Sequence, residues 1–135
     1  MNKIKTVLLI DDDEPTNFIN NKIIQRSGLV EAIHIVNNGQ EALLFLSRND
    51  NPVNETPIPD LIFLDVNMPA MDGWEFLTQY KKLKNIQTKN IVIVMLTTSL
   101  NPDDEMKAKE IKEVYGFKNK PLTIQMIEEI AIKYF

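Results

Sequence analysis

The sequence predicts an α/β fold: a doubly wound parallel sheet of five strands flanked by five helices. Three observations predict it. Apolar runs recur at Val7-Leu8-Leu9-Ile10, Leu61-Ile62-Phe63-Leu64 and Ile91-Val92-Ile93-Val94-Met95-Leu96. Continuous runs of this length, bounded by turn residues, are strands buried on both faces, and such strands belong to parallel sheets covered by helices. Segments of helical apolar spacing alternate with the runs, as in βαβ units joined by right-handed crossovers. The runs also end on polar groups: Asp11-Asp12-Asp13-Glu14, Asp65 and Thr97-Thr98-Ser99. In open α/β sheets, ligands bind outside the carboxyl ends of the strands.

Taken in order, the first run leads into Pro15, which suits the first helical position, with acidic residues before it to cap the helix and complement its dipole. A first helix is expected over residues 15–26, burying Phe18, Ile19 and Ile23, with Gly28 as its stop. Residues 32–36 read as a short second strand. Asn37-Asn38-Gly39 turns the chain into a second helix over residues 40–46, packed through Ala42, Leu43 and Leu46. Residues 49–59 are polar and hold Pro52, Pro57 and Pro59, so they read as a surface loop. The central strand, residues 60–65, ends on Asp65. Met68-Pro69-Ala70-Met71-Asp72-Gly73 then turns into a third helix that packs Phe76, Leu77 and Tyr80, while Trp74 covers the core. The fourth strand, residues 91–96, is followed by a helix opened by Pro102. Its apolar stripe is thin, Met106, Ile111 and Val114 among many Lys and Glu residues, so it is expected to shift easily. Residues 116–119 form a last strand, closed by Lys120-Pro121. The final helix carries Ile124, Ile127, Ile130, Ala131 and Tyr134 at helical spacing.

Composition narrows the function. At 135 residues the chain fits one domain, residues 1–135. Its net charge of −4 argues against a nucleic-acid partner, which wants a basic patch. There is no cysteine, hence no disulfide and no thiolate metal site. No apolar stretch approaches the roughly 20 residues that span a bilayer, and residues 1–6 lack a signal peptide's apolar region. A soluble cytoplasmic protein with no membrane partner is the expectation. His34 lies in a short strand and reads as structural.

The chemistry lies at the strand ends. In a sheet of order 2-1-3-4-5, one of the two common doubly wound orders, strands 1, 3 and 4 are neighbours. Their ends would bring Asp11, Asp12, Asp65 and Thr97 into one pocket, with Lys120 joining from the connection after the fifth strand. Three carboxylates so close cannot all ionise comfortably. A hard divalent cation removes the conflict, and magnesium, an oxygen-liganded ion often held by one or two carboxylates with phosphate oxygens, suits the set. Asp65 could then attack phosphorus and carry an aspartyl phosphate. The Lys120 ammonium would neutralise charge on the transferring group, and the Thr97 hydroxyl would donate to one of its oxygens. Each residue alone has an ordinary explanation: a helix-capping cluster, a turn Asp, a strand-end Thr, a loop Lys. Their joint order along the chain is what points to a site.

These residues also carry a resemblance. Leu9-Ile10-Asp11-Asp12-Asp13-Glu14-Pro15, Pro59-Asp60-Leu61-Ile62, Asp65-Val66-Asn67-Met68-Pro69, Asp72-Gly73, Thr97 and Lys120-Pro121 resemble the receiver domain of bacterial two-component response regulators over nearly the whole chain. The resemblance implies a flavodoxin-like fold and a stand-alone, chemotaxis-regulator-like receiver. It implies that Asp65 accepts a phosphoryl group from the phosphohistidine of a sensor histidine kinase or histidine phosphotransfer protein. Mg2+ would be held by Asp12, Asp65 and the backbone carbonyl of Asn67, with Asp11 reaching it through water. Thr97 and Lys120 would bind phosphoryl oxygens, and Thr97 with Phe117 would form the switch read by a downstream protein. Such a protein catalyses its own phosphorylation and dephosphorylation and is not otherwise an enzyme. Thr98 departs from the family's usual small residue, and the 49–59 loop is long. Asn67 and Ser99 occupy positions that tune dephosphorylation in the family.

Two other classes fit the sequence less well. A flavin-binding electron carrier of the same strand order would need a phosphate-cradling Ser/Thr/Gly loop after the first strand, where the anionic residues 11–14 would repel phosphate. A phosphatase of the haloacid dehalogenase type would need a second Asp two residues after the nucleophile, where Asn67 stands.

Overall fold

The computed structural model describes residues 3–47, 58–83 and 90–135. Along the chain run β1 (Ile4–Ile10), α1 (Glu14–Ser27), β2 (Val30–Val36), α2 (Gly39–Ser47), β3 (Leu61–Asp65), α3 (Gly73–Tyr80), β4 (Val92–Thr97), α4 (Pro102–Lys109), β5 (Val114–Asn119) and α5 (Ile124–Tyr134). The strands form one sheet of order β2-β1-β3-β4-β5, and every pairing is parallel. This is the expected doubly wound sheet. Register sets the strand ends side by side: Ile10 pairs with Leu64, Asp65 with Leu96, and Thr97 with Asn119.

The pleat divides the apolar runs between two cores, because successive side chains point to opposite faces. Leu8, Ile10, Ile62, Leu64, Ile93 and Met95 pack on one face with Leu46 of α2, Phe76 and Leu77 of α3 and Ala108 of α4. Val7, Leu9, Leu61, Phe63, Val92 and Val94 pack on the other with Ile24 of α1 and Ile127, Ile130 and Ala131 of α5. A central strand that must fill both cores can afford no polar residue until it leaves the sheet. That is why Asp65 falls at its end.

Among the described residues, all five helix starts are capped by side chains, that of α2 by Asn38, whose Oδ1 accepts from the Glu41 N–H. Asp13, Asp72, Asn101 and Thr123 accept from the backbone N–H groups of Thr16, Glu75, Asp103 and Met126. The left-handed Gly28 (φ 69°) ends α1, its N–H donating to the Gln25 carbonyl.

Several expected details are corrected. Phe18 and Ile19 are not buried; they are 65% and 54% exposed. The face that α1 turns inward carries Asn17, Asn20 and Ile24, with Ile23 only partly covered. The helix starts beside the polar end of β1, and its first inward turn meets backbone groups rather than hydrocarbon. In α4, Met106 is 63% exposed and Ala108 alone is buried. Ile111 lies beyond the helix and Val114 opens β5, so the expected stripe was never one helical face. β2 and β5 each begin two residues earlier than expected. A register shift at Ile93/Val94 pairs Ile93 with Val114 and Val94 with Gly116, leaving Tyr115 as the extra residue of a bulge. Ile124 is partly exposed at the start of α5, ahead of its buried face. Residues 49–57 of the expected surface loop lie outside the described residues. His34 is half-buried with its ring against Phe45, as a structural residue would be. Trp74 does pack on the core, and the Lys107 ammonium lies 4.6 Å from its ring centre.

Candidate functional site

Asp65 leaves β3 at the middle of the sheet and stays 6% exposed. Asp11 follows β1, is equally buried, and its N–H donates to the Val36 carbonyl, which extends the β1–β2 ladder by one step. Asp12, next along, is exposed. Carboxylate oxygens of Asp11, Asp12 and Asp65 lie within 4.8 Å of one another. Asp13 does not join them; it caps α1 through the N–H and hydroxyl of Thr16. The acidic run thus divides its labour, one residue for the helix and two for the pocket.

Lys120 reaches in from the loop after β5. Its ammonium donates to Asp11 Oδ2 at 2.7 Å and to Asp65 Oδ1 at 3.1 Å. Its backbone N–H donates to the Thr97 carbonyl at 2.8 Å, which ties that loop to the end of β4. Burial disfavours the ammonium, but the hydrogen bond to Asp11 and the charges of both carboxylates more than offset this and raise its pKa. Asp65 is pushed up to about 6, first by burial and then by the Asp11 charge, against the pull of Lys120 and a hydrogen bond from the Asn67 backbone. One ammonium between two buried carboxylates leaves the pocket short of positive charge. A divalent cation beside Asp12 and Asp65 would supply what is missing, so the donor set fits a hard metal ion.

Thr97 is fully buried at the end of β4, its hydroxyl oxygen accepting from the Ser99 N–H at 2.9 Å. Thr98 points to solvent, so its size is accommodated outside. Asn67 is exposed two residues beyond Asp65. Phe117 pairs with Met95 across the β4–β5 ladder and is half-buried against the α3–α4 core, outside the ring of charged groups. Gly73 closes the loop after β3. A Cβ there would meet the Asp65 carbonyl oxygen at 2.8 Å, the Met95 methyl at 3.0 Å and Val66 Cα at 3.1 Å, so the close return of α3 beneath Asp65 requires glycine.

Sequence reasoning missed Asn17. It is buried at the start of α1, and its amide donates to the Asp11 carbonyl at 2.9 Å. No apolar spacing pointed to it, because the face it shares with Asn20 and Ile24 is mostly polar while Phe18 and Ile19 turn outward.

Residues 7–132 match the response regulator receiver domain family. The chain belongs to that family. Response regulator Rcp1 of Synechocystis is 34% identical over 110 residues, covering 82% of this chain and 73% of that protein. The crystal structure of a two component response regulator from Cytophaga hutchinsonii superposes with a TM-score of 0.86 at 34% identity, over 97% of this chain and 96% of that one. The Mn(2+)-bound form of response regulator Rcp1 superposes with a TM-score of 0.75 at 28% identity, over 96% and 94%. The receiver domain is thus a two-component signalling protein that accepts a phosphoryl group on an aspartate and signals by conformational change. Among the described residues, no helix of this receiver is long and apolar enough to cross a membrane.

Proposed function

We propose that residues 1–135 work as one cytoplasmic receiver unit whose phosphoacceptor is Asp65. The observation that carries this is the convergence of Asp11, Asp12 and Asp65 within 4.8 Å, with the Lys120 ammonium between Asp11 and Asp65. Of the three carboxylates, Asp65 lies at the end of the central strand.

The donor is a phosphohistidine of a sensor kinase or phosphotransfer protein. An Asp65 carboxylate oxygen attacks phosphorus, the N–P bond breaks, and the electron pair leaves with the imidazole. Mg2+, held by Asp12, Asp65 and the Asn67 carbonyl with Asp11 at one remove, would supply charge to the phosphoryl oxygens as they become more negative. Asp11 keeps Lys120 aimed at the site. Lys120 moves its hydrogen bond from the Asp65 carboxylate to a phosphoryl oxygen. Burial keeps bulk water from competing for these bonds. Thr97 turns its O–H toward another phosphoryl oxygen, which releases the Ser99 N–H and the loop that leads to α4. Phe117, beside Met95, then follows into the space vacated on the α4 side. Thr97 and Phe117 are in this way the switch that a downstream protein reads. The receiver catalyses its own phosphorylation and dephosphorylation and nothing else.

Incubation with acetyl phosphate and Mg2+, followed by intact mass, tests the assignment. Wild type should gain one phosphoryl group, and Asp65→Asn should gain none. A gain that survives the substitution would place the acceptor elsewhere.

A further inference from the structure

We infer that Asn17 is a positioning residue for the metal-binding carboxylates, gripping the peptide from which Asp12 projects. The inference rests on the reading of Asp11, Asp12 and Asp65 as a cation site.

Every polar group of Asp11 is engaged. Its N–H donates to Val36, its Oδ2 accepts from Lys120 and its Oδ1 accepts from the Asp13 N–H at 3.0 Å. Its carbonyl oxygen accepts from the Asn17 amide at 2.9 Å. Asp12, the exposed residue of the three, thus sits between two pinned peptides. The carbonyl of the peptide before it is held by Asn17, and the N–H of the peptide after it is held by the Asp11 carboxylate. Partners that orient a metal's ligands without touching the metal are as much part of a site as the ligands themselves.

The side chain is a poor choice for packing. Asn17 is 4% exposed on a helix face that meets the sheet, and its Oδ1 is buried with no described protein donor in reach. Burying an amide half-paired is costly; leucine, of like size, removes that cost but leaves the Asp11 carbonyl without its donor. Leucine should therefore be tolerated in the fold and fail in the site. Asn20, buried on the same face one turn on, provides the control.

The test uses the full chain and MnCl2, counting free Mn2+ by electron paramagnetic resonance, with thermal melts alongside. Asn17→Leu should fold and melt within a few degrees of wild type yet bind Mn2+ about tenfold more weakly. Asn20→Leu should bind like wild type, and Asp12→Ala should abolish binding. Equal binding by Asn17→Leu and wild type would overturn the inference. So would an equal loss in Asn20→Leu, or failure of Asn17→Leu to fold. Failure of the wild type to bind Mn2+, or survival of binding in Asp12→Ala, would sink the cation site itself.

Discussion

α3 and α4 invite comparison. Each has eight residues, each covers the same face of the sheet, and each follows a strand that ends in a site residue. α3 buries Gly73, Phe76, Leu77 and Tyr80, whereas α4 buries Ala108 alone. α3 is held by packing. α4 is held by local devices: the Asn101 cap, Pro102 in its first turn, Asp103, Asp104 and Glu105 at its positive end, and Lys107 and Lys109 at its negative end. Its Glu105–Lys109 pair is exposed and contributes little. The difference teaches where a receiver needs rigidity. The loop carrying Asp65 returns into a helix that cannot move without opening the core. The loop carrying Thr97 returns into one that can.

The comparison can be broken at several strengths. Phe76→Ala should cost about 3–5 kcal/mol in urea unfolding, as for other buried aromatics, while Met106→Ala should stay within about 0.5 kcal/mol of wild type. Similar costs for the two would erase the distinction. Gly73→Ala should cost about 1–3 kcal/mol through the clash with the Asp65 carbonyl, and should slow phosphorylation by acetyl phosphate as well. A stable variant that phosphorylates normally would show that α3 need not return so tightly.

Protonation of Asp65 sharpens the same point. Its pKa is raised from 3.8 to about 6, by burial first. Between these values the folded protein holds a proton that the unfolded chain has released, so metal-free stability falls as pH rises through this window. Asp65→Asn should flatten that fall and stabilise the metal-free protein at neutral pH by about 1–2 kcal/mol, measured by denaturant melts at stepped pH. A stability that rises with pH across the window for this residue would contradict the burial argument. A small effect belongs to Lys107, whose ammonium on Trp74 links α4 to α3. Lys107→Gln should cost no more than about 0.5–1 kcal/mol, yet speed amide hydrogen exchange in α4 and leave α3 unchanged. Equal exchange in both helices would dissolve the contrast.

Much of this receiver was legible before folding. Leu61 to Leu64 and Ile91 to Leu96 could only be doubly buried strands, and the polar residues ending them could only gather at one edge of a parallel sheet. Phe76, Leu77 and Tyr80 read correctly because their spacing matches a single helical face against hydrocarbon. α1 did not read correctly. Phe18 and Ile19 look like core residues, yet the helix turns Asn17, Asn20 and Ile24 inward, with Asn17 donating to the Asp11 carbonyl. α4 failed for a related reason: Met106, Ile111 and Val114 have helical spacing, but the helix stops before the last two.

By itself, then, the sequence determined the alternation of elements, the class of sheet and the roster of charged groups at its carboxyl edge. Those follow from short-range patterns of apolar and polar residues. Tertiary structure decided the phase of α1, the division of the acidic run between cap and pocket, and the bridge from Lys120 to carboxylates 55 and 109 residues away. Such choices rest on how the elements pack in three dimensions, and no local periodicity encodes them.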